Sequence, residues 1–190
     1  MKNKVLIEIS ARHIHLCQAD LEKLFGIGYE LKEFKSLSQK GQYAAKETVK
    51  IIGPKAEIDG VRVVGPLREH TQIEISKTDG YMIGIVPPVR TSGDIEGSPG
   101  IKVVGPAGEI ELEQGLICAR RHIHISPDEA KDFGVVNKQK VSVKIFGERD
   151  LTFNDVVVRV DPDFRLSFQV DTDEGNAASV QSGDFGELII

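Results

Sequence analysis

The stretch Ala11–Leu16, ARHIHL, returns as RRHIHI at Arg120–Ile125, and this recurrence decides how the chain is read. Four of the five histidines sit in these two triplets. Each triplet is followed by a helix-like segment ending in Phe-Gly: QADLEKLFG at 18–26 and SPDEAKDFG at 126–134. The second carries a full set of signals. Ser126 suits the N-cap, Pro127 the first turn, Asp128 and Glu129 the positive end of the helix dipole, and Gly134 the stop. The first has a weaker cap. A strand–HIH–helix unit that occurs twice argues for two related halves.

Working outward, strand signals dominate. MKNKVLIEIS at 1–10 reads as a strand, because its apolar part is short and no small-residue cleavage site follows. VLIEIS, ETVKIIGP, VRVVGP, TQIEIS, IKVVGP, KVSVKIF and DVVVRV are short, β-branched and bounded by Gly, Pro or Asp. Three of them end alike, as IIGP (51–54), VVGP (63–66) and VVGP (103–106). Gly permits positive φ and Pro removes a donor, so the pair ends a strand and starts a turn. Many short strands at close spacing predict a mainly β chain of compact barrels with a few short helices. The Gly/Ser-rich loop TSGDIEGSPG at 91–100 puts the boundary loosely between 90 and 116, giving approximate domains at 1–100 and 101–190 with exchange of a terminal strand allowed.

Composition narrows the class. At 190 residues the chain fits one large domain or two small ones. No apolar run approaches the roughly 20 residues of a membrane helix. Cys17 and Cys118 are too few for a disulfide framework, so a reducing cytoplasm is expected. A net charge of −5 with interspersed signs gives no footprint for nucleic acid.

On a strand, residues two apart share a face. His13 and His15 therefore present two imidazoles together with Ile14 turned into the core, and His122 and His124 do so around Ile123. Neutral imidazole is the commonest metal ligand, binding zinc at about 2.1 Å. Two pairs could hold two ions, and paired ions about 3.5–4 Å apart clamp a phosphoryl group. The expectation is that the fold brings the two pairs together across a cleft.

Other side chains fit around them. Glu74 falls on the polar face of TQIEIS and could complete a His–His–carboxylate site. Arg68 offers a planar fork for phosphate or carboxylate. PPVRTSGDIEGSPG at 87–100 places Arg90, Ser92 and Gly93 in a loop whose N–H groups could cradle phosphate, although it lacks the P-loop spacing. DTDEGNAA at 171–178 fails the calcium-loop template and reads as a polar loop at a site rim. His70 reads as a surface residue and Cys118 as a buried structural cysteine.

On SARHIHL, KSLSQKGQYAAKETVKIIGPK, GVRVVGPLREHTQIEIS, PVRTSGDIEGSPGI, ARRHIHISPDEA and FRLSFQVDTDEGNAA the chain resembles the PduL-type phosphate acyltransferases, the phosphate propanoyltransferase family. The matching stretches run in one order over almost the whole chain. The resemblance implies two small β-barrel domains with the active site between them, two zinc ions, and reversible acyl exchange between coenzyme A and phosphate. It places His13, His15 and Glu74 on one zinc, and His122 and His124 on the second. It makes Arg68 the phosphate clamp, puts Ser10, Lys35, Arg62 and Asn176 near coenzyme A, and turns Ser92 and Gly93 toward phosphate.

One position departs from that pattern. The family has a third histidine where this chain has Gln169, a poorer zinc ligand that is neither acid nor base. Three outcomes follow for the second ion: weak binding, replacement, or retention by His122, His124 and water. The resemblance also implies a homo-oligomer such as a dimer. Microcompartment-bound relatives carry an amphipathic N-terminal extension, whereas this sequence begins about ten residues before its first histidine pair.

The expected reaction is direct transfer of an acetyl or propanoyl group, with no protein nucleophile. Two rivals are a metal-dependent thioester hydrolase and a coenzyme A- or metal-binding paralogue weakened by Gln169.

Overall fold

The computed structural model describes residues 3–190. Along the chain come β1 (Lys4–Ser10), β2 (His13–His15), α1 (Gln18–Phe25), β3 (Glu33–Ser36), β4 (Tyr43–Ile52), β5 (Glu57–Gly65) and β6 (Gln72–Glu74). Then follow α2 (Lys77–Ile83), β7 (Val89–Arg90), β8 (Ile101–Val104), β9 (Glu109–Leu112), β10 (Leu116–Ala119), β11 (His122–Ile125) and α3 (Pro127–Phe133). The chain closes with β12 (Lys140–Ile145), β13 (Leu151–Val160), β14 (Ser167–Asp171), α4 (Thr172–Ala178) and β15 (Phe185–Ile189). The strand expected over residues 1–10 is β1; Met1 and Lys2 lie outside the described residues.

The chain divides into two compact units. One joins the N-terminal stretch ending at Ala11 to Arg120–Ile190, and the other is Arg12–Ala119. The first is a closed barrel in the order β1-β14-β11-β13-β12-β15. Period-two patterning builds it: Val5 and Ile7, Ile123 and Ile125, Val141 and Val143, Val156 and Val158, and Phe168 and Val170 alternate into one core. The opposite face of β11 and β14 is thereby assigned to His122, His124, Ser167 and Gln169.

The second unit is a curled nine-stranded sheet in the order β7-β10-β6-β2-β5-β4-β8-β9, with β3 paired to β4. Its core gathers Ile14, Leu16, Leu21, Leu24, Ile51, Val63, Ile73, Val103 and Leu116. The mainly β class agrees with the sequence, and closure into a barrel is complete in the first unit.

The division of the chain differs from a cut near residue 100. β8 pairs with β4 and β10 with β6, so Ile101, Val103 and Leu116 are buried with Ile14 and Ile73. β1 instead lies between β14 and β15 in the closed barrel. Apolar strand faces decide both assignments, whereas the loop at 91–100 is a surface excursion within one unit.

Two helices correct the sequence reading. Residues 172–178 form α4 and not a rim loop, because Asp171 and Glu174 make a capping box. Ser76 and Asp79 do the same for α2, which the strand pattern of TQIEIS concealed. Among the described residues, no helix is long and apolar enough to cross a membrane.

Candidate functional site

β2 runs between β5 and β6, antiparallel to β6, with His13 opposite Glu74 and His15 opposite Gln72. Ile14 is fully buried in the core, which turns both imidazoles to the other face. Their Nε2 atoms stand 3.2 Å apart. Oε2 of Glu74 lies 3.6 Å from His13 Nε2. Among the described residues, His13, His15 and Glu74 are the trio whose ligand atoms all lie within 4.8 Å of one another.

Hydrogen bonds around the trio orient it. His15 Nδ1 donates to the Val64 carbonyl at 3.1 Å, leaving its Nε2 with a lone pair. Burial, then the neighbouring His13 and Arg68, hold the His15 pKa well below its ordinary value, so the ring is neutral. Ser92 Oγ and Gln72 Nε2 each donate to Glu74 Oε1 at 2.6 Å. Oε1 is thus occupied and Oε2 is left on the histidine side. Two imidazoles and a carboxylate from adjacent strands form a donor set that fits zinc.

Arg68 joins through Ser92. Arg68 Nη1 donates to Ser92 Oγ at 3.1 Å, and Gln72 Nε2 donates to the same oxygen at 3.0 Å. Gln72 is 2% exposed, and its Oε1 accepts the Gly93 N–H at 2.7 Å. One amide therefore ties the Ser92–Gly93 loop to the carboxylate of the trio.

The barrel unit repeats the construction. β11 lies antiparallel to β14, with His122 opposite Gln169 and His124 opposite Ser167. The Nε2 atoms of His122 and His124 are 3.1 Å apart. His122 Nδ1 donates to the Arg120 carbonyl at 2.8 Å. His124 is buried against Phe164, and its Nδ1 has no hydrogen-bond partner. Burial, then His122 and Arg159, lower the His124 pKa to about 2. Gln169 donates from Nε2 to Glu8 and, at 2.9 Å, to Ser167 Oγ. The second pair thus supplies two imidazole nitrogens and an amide, a set that can accept zinc with less charge than the first.

The remaining sequence-derived residues divide between the units. Arg62 donates from Nη1 to the Ala45 and Lys46 carbonyls and stacks over Phe34. Lys35 lies in exposed β3 of the same unit. Ser10 ends β1, opposite Asp171, and Asn176 sits in α4. His70 is exposed, whereas Cys118 is 4% exposed and lies opposite Val89. A separate open groove of about 650 Å³, lined by Phe25, Tyr29, Lys32 and Lys46, shares no side chain with either histidine pair.

Sequence reasoning did not single out Gln72, Glu8 or Ser167. Gln72 was legible in TQIEIS, where it shares the face of Glu74. Glu8 reaches Gln169 only because β1 and β14 pair, a contact between the chain's two ends.

The sequence profile of a family described as phosphate propanoyltransferase matches residues 6–181. A phosphate propanoyltransferase of Thermotoga maritima is 54% identical over 186 residues, covering 97% of this chain and 89% of that protein. Those of Priestia megaterium and Clostridioides difficile are 52% and 48% identical, covering 98% and 96% of this chain and 86% and 88% of theirs. With the matched segment holding both histidine pairs, Glu74, Arg68 and the Ser92 loop, the chain belongs to the phosphate propanoyltransferase family and is a phosphate acyltransferase.

Proposed function

We propose that the chain exchanges a short acyl group, acetyl or propanoyl, between coenzyme A and inorganic phosphate, with zinc held by His13, His15 and Glu74. One observation carries the reading. Ser92 Oγ accepts from Arg68 and donates to Glu74, so an anion-binding guanidinium and a cation-binding carboxylate stand one hydroxyl apart.

In the forward direction a phosphate oxygen attacks the thioester carbonyl carbon. A C–O bond forms, the C–S bond breaks, and its electron pair leaves with the thiolate of coenzyme A. Zinc, when bound, supplies Lewis acidity that offsets the negative charge of phosphate and of the departing thiolate. Arg68 grips phosphate with a planar fork and holds it at the carbonyl, where proximity supplies much of the rate. Gln72 fixes the Ser92–Gly93 loop that borders the phosphate.

Cys118 stands in the apolar interior and takes no covalent part. Cys118→Ser therefore retains activity, while Arg68→Ala loses phosphate-dependent turnover. The deciding assay follows coenzyme A release from acetyl- and propanoyl-coenzyme A with and without phosphate. Release that needs phosphate and yields acyl phosphate supports transfer, whereas release that ignores phosphate means hydrolysis and overturns the reading.

A further inference from the structure

We infer that Glu8 positions a second cation site, built from His122, His124 and the side-chain carbonyl of Gln169. β14 runs between β1 and β11. On one side Gln169 faces Glu8, and on the other it faces His122. Gln169 Nε2 donates to a carboxylate oxygen of Glu8, so the amide turns its NH2 group to β1. The same nitrogen donates to Ser167 Oγ at 2.9 Å. Both amide protons are spent there, and Oε1 is left for the β11 side.

That side holds two ring nitrogens 3.1 Å apart. His122 Nδ1 gives its proton to the Arg120 carbonyl, so His122 Nε2 presents a lone pair. A cation between the Nε2 atoms would take a carbonyl oxygen as its third ligand. Flipped by 180°, the same amide would aim its NH2 group at the ion and repel it. Glu8 accepts from that NH2 group and so blocks the flip. In the sheet unit Glu74 stands at the position equivalent to Gln169, opposite the first histidine of its pair. The barrel unit thus keeps a carboxylate but moves it outward by one strand. The inference concerns cation binding alone and does not rest on the acyl-transfer reading.

The test uses the full chain carrying His13→Ala and His15→Ala, which removes the first site. Cobalt(II) alone is the probe, followed by its visible absorption and by elemental analysis. One cobalt per chain is expected. Glu8→Ala should weaken binding roughly 10–100-fold, the usual effect of losing an outer partner of a metal ligand. Glu8→Gln should weaken it less, because its own carbonyl still accepts from Gln169. Adding Gln169→His to Glu8→Ala should restore binding, since an imidazole needs no amide orientation.

Unchanged cobalt affinity in Glu8→Ala overturns the inference, as does a parent that binds no cobalt. Full binding in Gln169→Ala that still depends on Glu8 would make Glu8 itself the ligand and also overturn it. If Glu8→Ala fails to fold by near-ultraviolet dichroism, Glu8→Gln and Ser167→Ala carry the test, both expected to weaken binding. Activity is not the readout, so this test and the phosphate-dependence assay fail independently.

Discussion

The two histidine pairs share one backbone plan and differ in charge. In both, a His-x-His strand pairs antiparallel with a short strand that runs into a capped helix. The ring nitrogens approach to 3.2 Å in the sheet unit and 3.1 Å in the barrel unit. Burial first, then the neighbouring histidine and an arginine, depress the pKa of the inner ring in each, the arginine being Arg68 for His15 and Arg159 for His124. Opposite the first histidine stands a carboxylate in one unit and an amide in the other. His15 Nδ1 has a carbonyl partner, whereas His124 Nδ1 has none. Strand geometry is thus enough to bring imidazoles together, while the residue across the ladder and the partner behind the ring differ between the units.

The largest effect should come from erasing that difference. Glu74→Gln gives the sheet unit the donor set of the barrel unit. Its loss in zinc content and in acyl phosphate formation should exceed the roughly 10–100-fold of an outer-partner substitution, because the proposed site loses a direct ligand. If zinc content and turnover survive Glu74→Gln, the contrast between the two sites carries no chemical meaning.

A smaller effect tests the outer partners. Gln72 and Ser167 occupy matching places opposite the second histidine of each pair. Gln72→Ala leaves the Gly93 N–H and Glu74 short of a partner each. Losing such bonds costs about 1–3 kcal/mol each, and a tenfold rise in the KM for phosphate corresponds to about 1.4 kcal/mol. The KM for phosphate should therefore rise about tenfold or more with zinc retained. Steady-state kinetics beside elemental analysis separates this from metal loss; an unchanged KM would show that the loop is held by other contacts.

Much of this contrast was legible in the sequence, since it rests on local rules. Alternation along HIH and TQIEIS put His13, His15 and Glu74 on polar faces, and the Phe-Gly stops announced α1 and α3. Two helices escaped because each carries a glycine at its centre, Gly80 in α2 and Gly175 in α4, which costs about 1 kcal/mol in a helix. Packing requires both: a Cβ would strike Pro87 and the Ile85 carbonyl at Gly80, and Ile9 at Gly175. The capping boxes were the signal that outweighed them. Glu8 was not legible, because no local pattern says that β1 joins β14.

Acid sharpens the comparison further. Burial leaves His124 with a pKa of about 2 against its ordinary 6.5. Between these values the unfolded chain binds a proton that the folded chain refuses. The stability is therefore whole above pH 6.5 and falls as pH drops toward the folded value. The metal-free chain should lose up to about 1.4 kcal/mol per pH unit from this ring, before carboxylates join in near pH 5. His15, also shifted down, should add a share of its own. Urea midpoints from pH 7.5 to 5.5 would read this, and His124→Gln should flatten the slope. Parallel slopes in variant and parent would mean that the ring titrates normally in the fold.

The smallest effect concerns the helices that follow the two histidine strands. Ser126 caps α3 and completes a box with Glu129. At the same place before α1 stands Cys17, which makes no side-chain cap. Thr71 covers part of the deficit, accepting the Cys17 N–H at 3.0 Å and donating to Asp20 at 2.7 Å. The Glu129 N–H that Ser126 satisfies in α3 has a counterpart in α1 that finds no acceptor in the Cys17 side chain. Cys17→Ser should supply one and raise stability by about 0.5–1 kcal/mol, without change in turnover. Ser126→Cys should cost a similar amount, which makes the swap a symmetrical test by urea denaturation. If Cys17→Ser gives no gain, Thr71 already does the work of a cap, and the two helix starts are equivalent in energy though not in the residues that achieve it.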